Sequence, residues 1–164
     1  MSGILLGVPS CSPCTTGVMV ISQDSSKPFL VISKWSGATT DYLGFLFALW
    51  EDGRVIRLSS GTSFEGSCEE GRFSKENVQR VINEVAASSL QCPPPNDPGP
   101  VDFPFYTLRL RLRDGIHLRD EPIYLYGPHE VDDLVQTLFA MPIQSPQALE
   151  GNCFNLEYDE GWVE

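Results

Sequence analysis

Phe45-Leu46-Phe47-Ala48-Leu49-Trp50-Glu51-Asp52-Gly53-Arg54-Val55-Ile56-Arg57-Leu58 is the stretch that decides the fold. Two strand-like runs meet at Asp-Gly, the strongest short-range signal for a β-hairpin. The first run is apolar on both alternating faces, with Phe45, Phe47 and Leu49 on one and Leu46, Ala48 and Trp50 on the other. A strand apolar on both sides belongs in the middle of a sheet whose two faces are covered. This hairpin is therefore expected at the sheet's centre.

A second run, Tyr106-Thr107-Leu108-Arg109-Leu110-Arg111-Leu112-Arg113-Asp114-Gly115-Ile116-His117-Leu118, also turns at Asp-Gly. Leu108, Leu110 and Leu112 alternate with Arg109, Arg111 and Arg113, the pattern of a strand with one apolar and one charged face. Register follows the buried face. A three-residue loop, Arg113-Asp114-Gly115, sets Leu112 opposite Ile116 and Leu110 opposite Leu118, and is the expected turn. His117 and Arg119 then join Arg109 and Arg111 on the outer face, with Arg109 opposite Arg119.

A helical pattern follows each hairpin. Ser74 suits an N-cap, and Phe73 before it can pack on Val78 four positions into the helix. Val78, Val81, Ile82 and Val85 mark one helical face, which fades at Ala87. After the second hairpin, Ile123-Tyr124-Leu125-Tyr126 resumes strand character. Gly127-Pro128 opens a helix with Val131, Leu134, Val135 and Leu138 on its apolar face, and Met141-Pro142 ends it. Upstream, Val18–Ile21 and Phe29–Trp35 read as strands that can form a hairpin of their own.

The expected fold class is α+β: one domain, an antiparallel sheet of about six strands with two helices packed on it, and an internal ββα duplication. Residues 1–17 form an irregular arm and 43–90 the first unit. Residues 91–104 are a proline-rich connector and 105–142 the second unit. Residues 143–164 are an acidic, aromatic tail. The loop from Ser59 to Arg72 is expected to hold no strand.

Length and composition bound the function. A chain of 164 residues with 41% hydrophobic and 10% aromatic residues can bury a core. Its formal charge of -11 argues against nucleic acid and anionic membranes and permits a basic protein partner. No apolar run approaches the roughly 18 residues of a membrane-spanning helix. The N-terminus lacks a basic region and a sufficient apolar run for a signal peptide, so the expectation is a cytoplasmic protein. Five cysteines at irregular spacing do not form a disulfide framework, and most are expected as reduced thiols.

Three constellations stand out. Arg109, Arg111, Arg113 and Arg119, with His117, form a candidate binding stripe, since guanidinium forks suit carboxylate or phosphate. The competing explanation is that the chain's own acids, such as those at 157–160, lie across it. Cys11-Ser12-Pro13-Cys14 is a C-x-x-C candidate for half a zinc site, but no second pair completes it. As a redox dithiol it lacks the strand-to-helix context. His129 beside Glu130 can be drawn as an acid-base pair, yet no nucleophile accompanies it. Nucleophile elbows, phosphate loops and metalloprotease helices are absent. Adjacent carboxylates such as Glu69-Glu70 read as solvated faces.

Leu49-Trp50-Glu51-Asp52-Gly53-Arg54-Val55, followed by Phe73-Ser74-Lys75-Glu76-Asn77-Val78, resembles a pattern in small uncharacterised bacterial domains. In these, an aromatic-x-Asp-Gly-x-Val hairpin leads into a Ser-x-Glu-x-Val helix and a second hairpin. The resemblance covers about residues 43 to 140, implies an α+β fold and carries no activity with it. The leading expectation is a non-catalytic acidic interaction module of inhibitor or immunity type, without cofactor, acting on a protein partner. The alternatives are a small ligand-binding domain or enzyme with a site assembled from Arg, His and Cys, and a zinc-supported fold through Cys11 and Cys14.

Overall fold

The structure is a computed structural model that describes residues 26–35, 44–59, 66–87, 105–114, 117–119, 122–126, 129–154, 156 and 160–162. At 35, 112–114, 117–119, 122–126 and 129–130 it describes backbone placement alone. The elements in chain order are β1 (Leu30–Trp35), β2 (Gly44–Leu49), β3 (Arg54–Leu58), β4 (Cys68–Arg72), α1 (Lys75–Ala87), β5 (Phe105–Leu110), β6 (Leu112–Asp114), β7 (His117–Arg119), β8 (Pro122–Tyr126), α2 (His129–Ala140) and β9 (Gln144–Ala148). The fold is α+β. Among the described residues, seven strands form an antiparallel sheet in the order β8-β5-β1-β2-β3-β4-β9, and β6 and β7 make a separate two-stranded ribbon.

β2 occupies the centre of the sheet because every residue in it is buried. Its alternation is interrupted once. Ile32 pairs with Phe47 and Ser33 with Phe45, so Leu46 is an extra residue on β2. Such a bulge places consecutive residues on one side, and Leu46 and Phe47 both enter the same core. The Asp-Gly turn has three residues between the paired positions. Trp50 donates its backbone N–H to the Arg54 carbonyl at 2.9 Å, and Gly53 donates to the Trp50 carbonyl at 3.0 Å. Gly53 has φ 90°, and a Cβ there would lie 2.7 Å from the Phe73 carbonyl oxygen. Glycine is required at this point twice over, by backbone conformation and by space.

The helices cover one face of the sheet. Ser74 caps α1 by accepting the Asn77 backbone N–H at 3.2 Å, and Phe73 and Val78 are buried in the same cluster. Glu76 in the first turn is held below the ordinary carboxylate range, first by its own backbone N–H and then by the Ser74 hydroxyl. Val78, Val81 and Val85 of α1 meet Val131, Leu134 and Leu138 of α2 over Leu30, Ile32, Phe47, Leu49 and Leu108. Phe47 links both helices, its ring 6.1 Å from Phe73 at the start of α1 and 6.4 Å from Phe139 near the end of α2.

The other face is covered by the C-terminal segment. Val31, Phe45, Ala48, Trp50, Ile56 and Cys68 pack against Cys153 and Trp162, with Leu149 and Leu156 beside them. Trp162 meets Trp50 edge-on at 4.9 Å. The cover is stitched down by the Phe45 amide on the Phe154 carbonyl, by the Leu149 amide on the Cys68 carbonyl, and by a disulfide between Cys68 and Cys153. Two of the five cysteines, expected as thiols, are thus joined across 85 residues of sequence.

Three expectations change. The stretch 59–72 holds a strand, β4, whose Cys-Glu-Glu-Gly-Arg sequence lacks apolar alternation because its acids answer arginines on β3 instead of a core. β1 has β2 on one side and β5 on the other. No edge of it is left for Val18–Ile21, a run outside the described residues. Internal duplication is not established: three strands precede α1 in the first unit, and one long hairpin precedes α2 in the second. The N-terminal arm and the connector at 91–104 also lie outside the described residues.

Candidate functional site: the arginine hairpin

The five candidate binding residues lie on one structure, a hairpin whose base is in the main sheet and whose tip is not. β5 pairs with β8 from Phe105↔Tyr126 to Arg109↔Pro122, and the same register continues through Leu112↔Arg119 to Asp114↔His117. Among the described residues, only the base is gripped on its other side, where β5 pairs with β1 from Trp35↔Phe105 to Leu30↔Leu110. The tip is the β6–β7 ribbon.

This register overturns the expected turn. Two residues, 115 and 116, separate the last paired positions, where three were expected. Arg109 stands opposite Val31 and Pro122, so the anticipated Arg109–Arg119 like-charge pair does not form. Arg119 stands opposite Leu112, and Arg113 opposite Leu118. Paired residues share a face. Leu112, Asp114, His117 and Arg119 therefore hold one face of the ribbon, and Arg113 and Leu118 the other. The stripe is divided. The physical reason lies at the base: buried Tyr106 and Leu108 stand opposite Leu125 and Ile123. That apolar match sets the register of the whole hairpin, and a one-residue change in the turn flips every residue of the returning strand.

Arg109 is half-buried on the face of β5 away from the helices. Arg111, between β5 and β6, is 3% exposed. Its backbone N–H donates to the Phe29 carbonyl at 2.8 Å, and its Nη2 donates to the Trp162 carbonyl at 2.6 Å. The C-terminal segment does reach the stripe, through a backbone oxygen; Glu160 is exposed, and 157–159 lie outside the described residues. Of the ribbon residues Arg113, His117 and Arg119, backbone placement alone is described.

The sequence reading missed the arginines of β3. Arg57 donates through Nε to Glu69 at 2.7 Å and through Nη1 to the carbonyls of Phe139 and Met141 at 2.9 and 3.2 Å. It neutralises a strand acid and satisfies the C-terminal end of α2 at once. Arg54 pairs with Glu70 at 2.6 Å, and its guanidinium lies 4.4 Å from the Trp50 ring. Glu69 and Glu70, expected as a solvated pair, are each held by an arginine. The only sequence signal was arginine alternating with apolar residues in β3, which gains meaning once β4 is known.

Tyr106 donates its phenolic O–H to the Asp132 carboxylate, tying β5 to the first turn of α2. Burial, and then Asp132, push its pKa well above the ordinary tyrosine value. A phenol held protonated is a structural donor and is a poor nucleophile or base. An open groove of about 860 Å³ follows α1 from Glu51 to Ala87, lined by Lys75, Glu76, Arg80 and Glu84 among others. Arg80 and Glu84 already pair with each other at 2.9 Å. Among the described residues no three His, Cys, Asp or Glu side chains gather as metal ligands; Cys11, Cys14 and the His129 side chain lie outside them. Among the described residues no helix is long and apolar enough to cross a membrane. Comparison with protein-family models, curated proteins and solved structures finds no match.

Proposed function

We propose that the chain is a non-catalytic interaction module that docks a protein partner through the arginine hairpin. The observation that carries the reading is the β6–β7 ribbon. It pairs apart from the main sheet and carries Arg113 on one face and His117 and Arg119 on the other, in a chain whose formal charge is -11. A two-stranded ribbon with guanidinium groups suits an acidic segment, whose carboxylates accept the fork of donors. Arg109, at the ribbon's base, lies on the same face as Arg113. Arg111 is the residue that fixes the hairpin to the C-terminal cover.

A second reading rests on the ion pairs. Arg54, Arg57, Arg72 and Arg80 are each matched to a carboxylate. With four of the 11 basic residues so engaged against 22 acids, the remaining surface is strongly acidic. It would suit a basic partner, in the manner of inhibitor or immunity proteins.

Affinity capture at low and moderate salt separates the two, with Arg109, Arg113 and Arg119 changed together to serine. A stoichiometric partner lost by the triple variant supports the ribbon. A partner retained by it, and released by salt, moves the site to the acidic surface. No partner under any condition sinks both. The setting belongs to the same proposal: composition favours the cytoplasm, whereas a Cys68–Cys153 disulfide favours an oxidising compartment. Peptide mass analysis of native protein, alkylated before reduction, decides between them.

A further inference from the structure

Among the described residues, the two faces of the sheet are packed by separate clusters. The helix-side cluster draws on both helices and on β1, β2, β3 and β5, and it contains no residue beyond Ile143. The opposite cluster is closed by the C-terminal cover, through Leu149, Cys153, Leu156 and Trp162. Removing the cover therefore takes nothing from the helix-side core.

The cover also has a hinge. Glu150, Gly151 and Asn152 are exposed, Gly151 has φ 105°, and a Cβ there would meet no heavy atom within 4 Å. A short exposed run of this kind absorbs backbone rotation. Before the hinge, β9 is laddered to β4, and the Leu149 N–H donates to the Cys68 carbonyl at 2.8 Å. After it come the disulfide, the Phe45 N–H on the Phe154 carbonyl at 3.1 Å, and Arg111 Nη2 on the Trp162 carbonyl at 2.6 Å. One group opposes closure. The indole N–H of Trp50, buried against Trp162, has no hydrogen-bond partner among the described residues. A buried donor left unpaired disfavours the closed state, and lifting the cover would hydrate it.

We propose that the Cys68–Cys153 disulfide is a redox switch on this cover: a dithiol reductant lets the cover swing away at 150–152, and reoxidation closes it, while the two-helix core stays folded. The bond holds the far side of the hinge against β4, so the contacts of Trp162 form at high effective concentration. In the opening step, one thiolate of the reductant attacks one of the two sulfurs, forming a mixed disulfide and releasing the other as a thiolate. The reductant's second thiol then displaces the bound cysteine. Two electrons and two protons pass to the chain, which ends with two thiols, and the reductant ends as a disulfide. A disulfide oxidant reverses the exchange. Cys68 and Cys153 are 1% and 2% exposed, so attack follows local opening of the cover. Opening also takes the Trp162 carbonyl away from Arg111 in the arginine hairpin. The switch does not depend on the ribbon's proposed partner.

Amide exchange of the full chain, read by NMR with oxidised and with reduced dithiothreitol, tests it. The amides of Phe45, Leu156 and Glu160 donate within or to the cover. On reduction they are expected to exchange about tenfold faster or more, and reoxidation to restore them. Val81 and Val85 in α1 and Leu138 in α2 are expected to keep their protection in both states. Cys153→Ser is expected to show the fast exchange under both conditions. Should that variant fail to fold, the two redox states of the unaltered chain decide alone. Equal exchange at Phe45, Leu156 and Glu160 in both states overturns the proposal. So does loss of protection in α1 and α2 along with the cover, which would make the bond a support of the whole fold. A response to dithiothreitol that survives in Cys153→Ser overturns it too, as does a chain in which oxidised dithiothreitol never joins Cys68 to Cys153.

Discussion

The two Asp-Gly hairpins carry the same dipeptide and turn differently. In the first, Gly53 takes a positive φ and three residues separate the paired positions Trp50 and Arg54. In the second, two residues separate Asp114 from His117. The first turn is clamped from outside, since Phe73 donates its backbone N–H to the Gly53 carbonyl at 2.8 Å and α1 starts immediately after. The second turn lies at the tip of a ribbon, away from the main sheet, and accepts whatever register the buried base imposes. The dipeptide announces a hairpin; the nearest buried contact chooses its turn.

That contrast can be broken most forcefully by apolar truncation. Leu49→Ala at the core of the first hairpin should cost about 2–5 kcal/mol in chemical denaturation. Leu112→Ala in the ribbon should cost less than about 1 kcal/mol. Equal losses would mean that the ribbon is folded into the core after all. The cover over the first hairpin provides the next test. Cys68→Ser or reduction should remove about 2–4 kcal/mol, since the cross-link closes a long loop in the unfolded chain. Arg57→Met keeps the stem and loses the contacts to Glu69, Phe139 and Met141; a loss of about 1–3 kcal/mol is expected. Arg113→Ser with Arg119→Ser should shift stability by about 0.5 kcal/mol or less, because those positions lie outside the main sheet.

The smallest effects are those of pH. Tyr106 has a raised pKa in the fold, so its contribution is complete below the unfolded tyrosine value of about 10 and is lost as pH rises above it. Tyr106→Phe should flatten the alkaline limb of a stability–pH curve. Glu76 has a lowered pKa, so the stability it adds is present above the ordinary carboxylate range and is lost on acidification. Glu76→Gln should flatten the acid limb. Thermal melts at stepped pH read both.

What could be read in the sequence is what is encoded locally. Phe45 to Trp50 announces a central strand through its apolar run. Ser74, Phe73 and Val78 announce the start of α1, and Met141-Pro142 its counterpart's end. The segments that were missed are encoded by distant partners. β4 is polar because Glu69 and Glu70 answer Arg57 and Arg54. β9 is exposed and is admitted beside β4 only because Gly71 has no Cβ; one there would lie 2.8 Å from the Gln144 carbonyl oxygen and collide with Ile143. The five candidate binding residues were found together on one hairpin, but their distribution over its two faces depended on a register set by Tyr106 and Leu108, beyond the stripe itself. Trp162 over Trp50, and Cys153 against Cys68, join positions that no local pattern links.

The order of synthesis gives the Cys68–Cys153 bond a timing of its own. Cys68 emerges with the first half of the sheet, whereas Cys153 follows both helices and the long hairpin. Cys11, Cys14 and Cys92 emerge before Cys153, and a disulfide oxidant of the compartment that first forms a mixed disulfide with Cys68 can be displaced by one of their thiolates, leaving the oxidant reduced and Cys68 mispaired. Until the right partner emerges, Phe45, Ala48, Trp50 and Ile56 present an uncovered apolar face, the kind of surface on which nascent chains aggregate. Correct pairing therefore requires oxidation to follow folding. A cell that oxidises the chain early should accumulate mispaired, chaperone-bound protein.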